Sequence, residues 1–182
     1  MHPLDKFRYC PVCGCDQFNI NNFKSKRCAA CGFTYYMNPS AATAAFILRK
    51  STSQDEDSET RLLVARRGKE PAKGTFDLPG GFSDEGETGE ECVRREVMEE
   101  TGLQVTHAKY LFSLPNHYTY SGLDIPTLDQ FFLCEVKPEE NTHAMDDVAE
   151  LFWIPLRKIN PDDFGLDSIR RAVRRFLSFD CK

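Results

Sequence analysis

The stretch Gly81–Leu103 reads GFSDEGETGEECVRREVMEETGL and gathers eight acidic side chains and two arginines between glycines. Carboxylates are hard oxygen ligands and proton acceptors, suited to Mg²⁺ or Mn²⁺ where phosphates complete the coordination. A solvated helix face is the plain alternative. On a helical wheel with Glu96 at zero and about 100° per residue, Glu99 falls at about −60° and Glu100 at about +40°. Cys92, Val93 and Leu103 share that arc, whereas Glu90, Glu91, Arg94 and Met98 take the other side. Three carboxylates in one turn, on the apolar side, repel each other and resist desolvation. Arg95 can compensate Glu99 at i,i+4. A divalent cation is the stronger compensation.

A second constellation is Cys10-Pro-Val-Cys13 and Cys28-Ala-Ala-Cys31, two CxxC pairs with 14 residues between them. Each pair can present two thiolates from a tight knuckle, and two knuckles make a tetrahedral Zn²⁺ site. The spacing falls one residue short of the usual range of roughly 15–20. Cys15 is an extra thiol that competes as a ligand. Five of the eight cysteines fall within residues 10–31, which in a cytosolic chain points to metal rather than disulfides. A redox pair or plain buried cysteines is the other reading.

The elements that must position these groups follow from composition and pattern. The chain has 182 residues, 41% hydrophobic and 28% charged, a globular composition. It has no apolar run of about 18 residues, so no membrane partner is expected. MHPLDKFRYC lacks the apolar core of a signal peptide, which leaves a cytoplasmic protein as the expectation. Net charge is −5, yet residues 1–31 carry five Lys or Arg against Asp5 and Asp16, or +3, leaving −8 elsewhere. An acidic body argues against broad nucleic-acid contact there.

Ala41–Leu48 and Arg61–Arg66 read as strands, joined by STSQDEDSET, a tract too polar to pack and expected to be a mobile loop. Phe76–Leu78 is a short strand ended by Pro79-Gly80-Gly81. Thr88–Thr101 is a helix closed by Gly102. Val105–Leu114, Asp129–Val136 and Leu151–Ile154 are further strands. Leu166–Phe179 is a helix with an apolar stripe through Ile169, Val173, Phe176 and Leu177. Mixed strands and helices give an α+β domain. We expect a zinc ribbon over 1–37 and a catalytic domain over 38–182.

The acidic stretch resembles the Nudix box, G-x5-E-x7-R-E-U-x-E-E-x-G-U with U apolar. Gly81, Glu87, Arg95, Glu96, Val97, Glu99, Glu100, Gly102 and Leu103 fill every fixed position. The resemblance implies an α/β/α sandwich around a mixed sheet, here preceded by a small zinc ribbon. It also implies hydrolysis of a nucleoside diphosphate linked to another moiety. By position, Glu96, Glu99 and Glu100 would bind Mg²⁺ or Mn²⁺, with the Gly80 carbonyl as a further ligand. Glu87 would lie near them and Arg95 would orient the glutamates. A base would take a proton from the attacking water, either Glu96 or an acid from the later stretch holding Asp146, Asp147 and Glu150. Of these three, Asp147 is the candidate base.

A ribbon ahead of such a domain resembles the NADH pyrophosphatase group, which carries S-Q-P-W-P-F-P-x-S after the box. The corresponding stretch, Ser113–Ser121, keeps the first Ser, first Pro, sixth-place aromatic and last Ser, but lacks the Trp and two prolines. The expected substrate is therefore a dinucleotide or ADP-ribose-like molecule rather than NADH itself. A loop over Asn116–Pro126 would choose it, through His117, Tyr118 and Tyr120. A homodimer is the assembly left open. The rival reading is a nucleic-acid-binding or ligand-sensing protein, its basic ribbon using Phe18 and Phe23 to stack on bases.

Overall fold

The computed structural model describes residues 2–50, 59–137, 144–145 and 148–180. The tract 51–58 and the acids Asp146 and Asp147 therefore lie outside the described residues. The chain divides into two compact units. One comprises residues 1–40 and 117–127, the other 41–116 and 128–182.

The first unit is built on β1 (Phe18–Asn22), β2 (Ser25–Cys28) and β3 (Thr34–Tyr36), an antiparallel three-stranded sheet in that order. Its core is small. Cys10, Phe18 and Cys28 are buried, with Phe7, Cys15 and Phe33 packed against them. Phe18 is only 4% exposed, so it cannot stack on an incoming base as the rival reading required.

The second unit holds β4 (Ser40–Lys50), β5 (Thr60–Arg67), β6 (Phe76–Asp77), α1 (Gly89–Thr101), β7 (Val105–Tyr120), β8 (Leu123–Val136), β9 (Val148–Pro155) and α2 (Asp167–Asp180). Ser40 and the outer ends of β7 and β8 are grouped with the first unit. The sheet order is β6-β5-β4-β8-β7, with β9 also paired to β5. Strand periodicity sends alternate residues to opposite faces. Ala44, Phe46, Leu62, Val64 and Phe131 pack with Ile169, Val173 and Phe176 of α2. Ala45, Ile47, Leu63 and Phe132 pack with Val93 and Val97 of α1. Both faces are covered, which is why β4 reads as a nearly unbroken apolar run rather than an alternating one. This is the expected α/β/α sandwich.

The strand and helix positions agree with expectation within a few residues, with one exception. The stretch read as a loop after Leu114 is a hairpin. β7 continues to Tyr120 and β8 begins at Leu123. Its turn uses Ser121 and Gly122 at φ 49° and 73°, the two positive angles of a type I′ turn. Within the second unit, Asn116 Nδ2 and Ser168 Oγ both donate to Asp129 Oδ2, at 3.1 and 2.5 Å. These buried bonds tie β7 and β8 to the first turn of α2.

Candidate active site and metal centre

The carboxylates are placed by one helix and one stitched loop. Thr88 caps α1, accepting from Glu91 N at 3.2 Å, while Glu91 accepts from Thr88 N at 2.8 Å, a complete capping box. The helix ends at Gly102, in the left-handed region at φ 71°. Its last turn has no basic residue but holds Glu99 and Glu100, the sign a helix C-terminus disfavours by roughly 0.3–1 kcal/mol per charge. Local helix energetics do not put those acids there.

Residues 79–83 are stitched along β4. Ala45 N donates to Pro79 O and Thr43 N to Gly81 O, both at 2.8 Å, and Ser83 N to Ala41 O at 3.1 Å. Gly80 has φ 153°, and a Cβ there would stand 2.1 Å from Thr43 O. A Cβ on Gly81 would stand 2.5 Å from Glu96 Oε1. The backbone therefore passes directly against the Glu96 carboxylate; Gly80 must be glycine because its clash is with backbone, whereas a side chain at Gly81 would displace the Glu96 carboxylate. Gly80 N donates to Glu100 Oε2 at 2.9 Å, which fixes that buried carboxylate on the loop.

Arg95 gathers the others. Its Nε donates to Glu87 Oε1 at 2.7 Å and NH2 to Glu87 Oε2 at 3.0 Å, a fork-to-fork pair. NH1 donates to Glu96 Oε1 at 2.8 Å and to Glu99 Oε2 at 3.0 Å, and NH2 also to Phe82 O at 3.0 Å. The guanidinium bonds hold the Glu87 carboxyl down at about 2. Glu96 is pushed the other way, by burial first and then by Glu99 and Glu87, against the lowering influence of Arg95.

The wheel placed all three glutamates inward. Glu96 and Glu100 are inward, with the Glu96 side chain 14% exposed, but that of Glu99 is 49% exposed. The buried face of α1 centres nearer Val93 and Val97, which leaves Glu99 on its rim. Among the described residues the acids do not close into a tight ligand cluster, because Glu96 and Glu99 are held on Arg95 and Glu100 on Gly80. The donor set is nonetheless chemically right for a hard cation: oxygen only, anionic, crowded and partly desolvated.

Two other expectations were for the base and the substrate loop. Glu150, on β9, accepts from Arg66 Nε through Oε2 at 2.8 Å. His117 Nδ1 lies 3.1 Å from Asp124 Oδ2, both largely exposed, and Tyr120 is 63% exposed. His117, Tyr118 and Tyr120 belong to the same compact unit as the ribbon. Sequence reasoning missed Arg67 and Asp77, a partly buried pair beside the loop. Arg67 binds Asp77 and Pro71 O, at 2.7 Å for the latter, and Asp77 Oδ1 accepts from Leu78 N at 2.8 Å. The acid one residue before Leu-Pro-Gly-Gly was the available signal.

The cysteines form the second centre. The sulfurs of Cys10, Cys13, Cys28 and Cys31 all lie within 4.8 Å of one another. Cys10 and Cys31 are 3.7 Å apart, Cys13 and Cys28 3.6 Å. A tetrahedron with Zn–S of about 2.3 Å has edges of about 3.8 Å, so the set is already near that shape. Backbone N–H groups of Cys31 and then Ala30 lower the Cys28 thiol, whereas neighbouring thiols and burial raise those of Cys13 and Cys31 against their own backbone bonds, so without a cation the four cannot all ionise together. Cys15 stands outside the cluster, near Asp16 and Gln17 N.

A capped helix presenting an arginine-bound acid cluster against a glycine loop, on an α/β/α sandwich, defines the class. The NUDIX domain profile matches residues 41–176, and the chain belongs to the Nudix family. It is 28% identical over 162 residues to the NAD-capped RNA hydrolase NudC of Vibrio parahaemolyticus, covering 88% of this chain and 55% of that protein. It is 39% identical over 71 residues to the ADP-ribose pyrophosphatase of Methanocaldococcus jannaschii, covering 39% of this chain and 37% of that one. A Nudix hydrolase structure from Nitrosomonas europaea superposes with a TM-score of 0.68 at 16% identity, over 94% and 90% of the two chains. The chain thus spans about half the length of the NudC protein it matches. No helix among the described residues is long and apolar enough to cross a membrane.

Proposed function

We propose that the chain is a divalent-metal-dependent pyrophosphohydrolase. Its substrate is a nucleoside diphosphate linked to another moiety, of the dinucleotide or ADP-ribose type. Relatives named for NAD-capped RNA and for ADP-ribose support that class, which includes a dinucleotide at an RNA 5′ end. The observation that carries the reading is the Arg95-centred set of Glu87, Glu96 and Glu99 beside Glu100 on the Gly80 loop.

Glu96, Glu99, Glu100 and the Gly80 carbonyl would hold Mg²⁺ or Mn²⁺. Bound there, the cations supply charge neutralisation and acidify water. The protein's own part is orientation. Arg95 keeps Glu87 ionised and fixes Glu96 through Oε1, which leaves Glu96 Oε2 to accept a proton from water. Asp147 is the alternative acceptor. Cys10, Cys13, Cys28 and Cys31 would hold one Zn²⁺ that stabilises the ribbon. His117, Tyr118 and Tyr120 would contact the nucleoside end. Its partners are nucleotide-type substrates, free or at the end of an RNA chain.

The deciding test is turnover on a panel of NADH, ADP-ribose, dinucleoside polyphosphates and nucleoside triphosphates. Glu99→Gln and Glu100→Gln should each lower turnover on the best substrate by about a hundredfold or more while the protein stays folded. Turnover near wild type in both variants would sink the assignment. D147N tested alongside decides between the two candidate bases: wild-type turnover leaves Glu96, and a loss of turnover favours Asp147.

A further inference from the structure

The ribbon carries a polar face that neither the cysteine cluster nor the acidic helix uses. Asn19 pairs opposite Arg27, and Arg27 opposite Thr34, so the three side chains form one row across β1, β2 and β3. Asn19, Ile20, Asn21 and Arg27 line a cavity of about 330 Å³ together with Cys28, Ala29 and Gly32 of the second knuckle. The guanidinium of Arg27 lies 4.0 Å from where a Cβ on Gly32 would stand. Among the described residues it has no ion pair or side-chain hydrogen bond. Asn21 Nδ2 donates to Ser25 Oγ at 3.0 Å, which fixes that amide in the wall. Phe23, in the turn that closes β1 onto β2, is 81% exposed.

An open guanidinium, two amides and a bare aromatic ring are the groups that hold an unpaired nucleotide. They bond phosphate and base edges and offer a stacking surface. The cavity volume falls in the small-ligand range of roughly 300 Å³ upward. Bulk attraction is secondary, since four thiolates on one Zn²⁺ would take two units from the ribbon's +3. Affinity must come from the local groups. An acidic peptide would meet one cation there and nothing to match the amides.

We propose that this face binds single-stranded RNA. One nucleotide sits against Arg27, Asn19 and Asn21, and Phe23 stacks on its neighbour. The inference deepens the reading above, resting on a substrate whose second moiety is an RNA chain, although the binding itself needs no catalysis. The test is fluorescence anisotropy of a labelled single-stranded RNA of about ten nucleotides with the full zinc-replete chain, without added Mg²⁺ or Mn²⁺. Phe23→Ala and Arg27→Gln should each weaken binding by about tenfold, and R27Q should also reduce the salt slope by about one. Zinc content and melting temperature identify a variant that has lost its fold. If R27Q does so, N19A/N21A takes its place. Unchanged affinity in both variants overturns the proposal, as does displacement of the RNA by an equal concentration of duplex or of an acidic peptide. Failure of the wild-type chain to hydrolyse any dinucleotide in parallel would overturn the catalytic reading and leave the binding result intact.

Discussion

One guanidinium organises most of the charge in the carboxylate site. Arg95 makes five hydrogen bonds to oxygen, of 2.7 to 3.0 Å, reaching Glu87, Glu96, Glu99 and Phe82. A lysine ammonium is a point donor and cannot span that fork. Arg95→Lys should keep the net charge and the fold yet lose at least two charge-assisted bonds, each worth about 1.5–3 kcal/mol. If even half of that positions the carboxylates for reaction, turnover falls by roughly ten- to a hundredfold at 1.36 kcal/mol per decade. The half-saturating Mg²⁺ concentration should rise as well, which a purely structural role would not produce. Wild-type turnover and Mg²⁺ demand in R95K would remove Arg95 as a positioning residue.

The box helix and the loop before it carry their own expectations. Glu91 accepts from Thr88 N, and that backbone bond first, then the Thr88 hydroxyl, holds its carboxyl below the ordinary value of 4.5. A depressed folded-state pKa gives stability that is present above the unfolded value and lost as pH falls through the folded one. Glu91→Gln should therefore melt below wild type at neutral pH, with the gap closing as pH falls below 4.5 and through the depressed folded-state value. A gap independent of pH would show that the charged cap contributes nothing. Gly80→Ala is the harsher change. Its Cβ would meet Thr43 O, and the loop cannot retreat because Ala45 and Thr43 amides clamp it on both sides. A loss of about 2 kcal/mol or more is expected, or a drop of about 4–8 °C in Tm, with Tm near wild type as the contrary result. The helix was legible because its signals are local: a capping box, Gly102, and apolar residues at helical spacing. A wheel gives only relative angles, though, so Glu99 was placed inward when the sheet actually covers Val93 and Val97. The hairpin was hidden by Pro115, which reads as loop yet is tolerated because β7 is an edge strand. Asn116–Asp129–Ser168 left no pattern, since its partners meet only through the fold, and Arg67–Asp77 left only an acid ahead of Leu-Pro-Gly-Gly.

At the scale of the whole molecule, the two units rest on unequal cores. The larger packs apolar side chains on both sheet faces, whereas the ribbon buries Cys10, Phe18 and Cys28 with three partly covered neighbours. So little apolar surface cannot offset the entropy of ordering the ribbon, so a metal is expected to supply the difference. Stripping zinc should release amide-exchange protection across 2–40 and 117–127 together, while α1 and the central sheet keep theirs. Unchanged protection in 117–127 would separate the hairpin tip from the ribbon's stability. That shared membership also bears on heredity. The ribbon looks in sequence like a cassette that recombination could add or delete at residue 40, but its unit includes a segment encoded almost eighty residues further on. A crossover at that seam would leave an orphaned hairpin tip in one product and an incomplete ribbon in the other. The two stretches are therefore expected to be inherited, exchanged or lost as a pair.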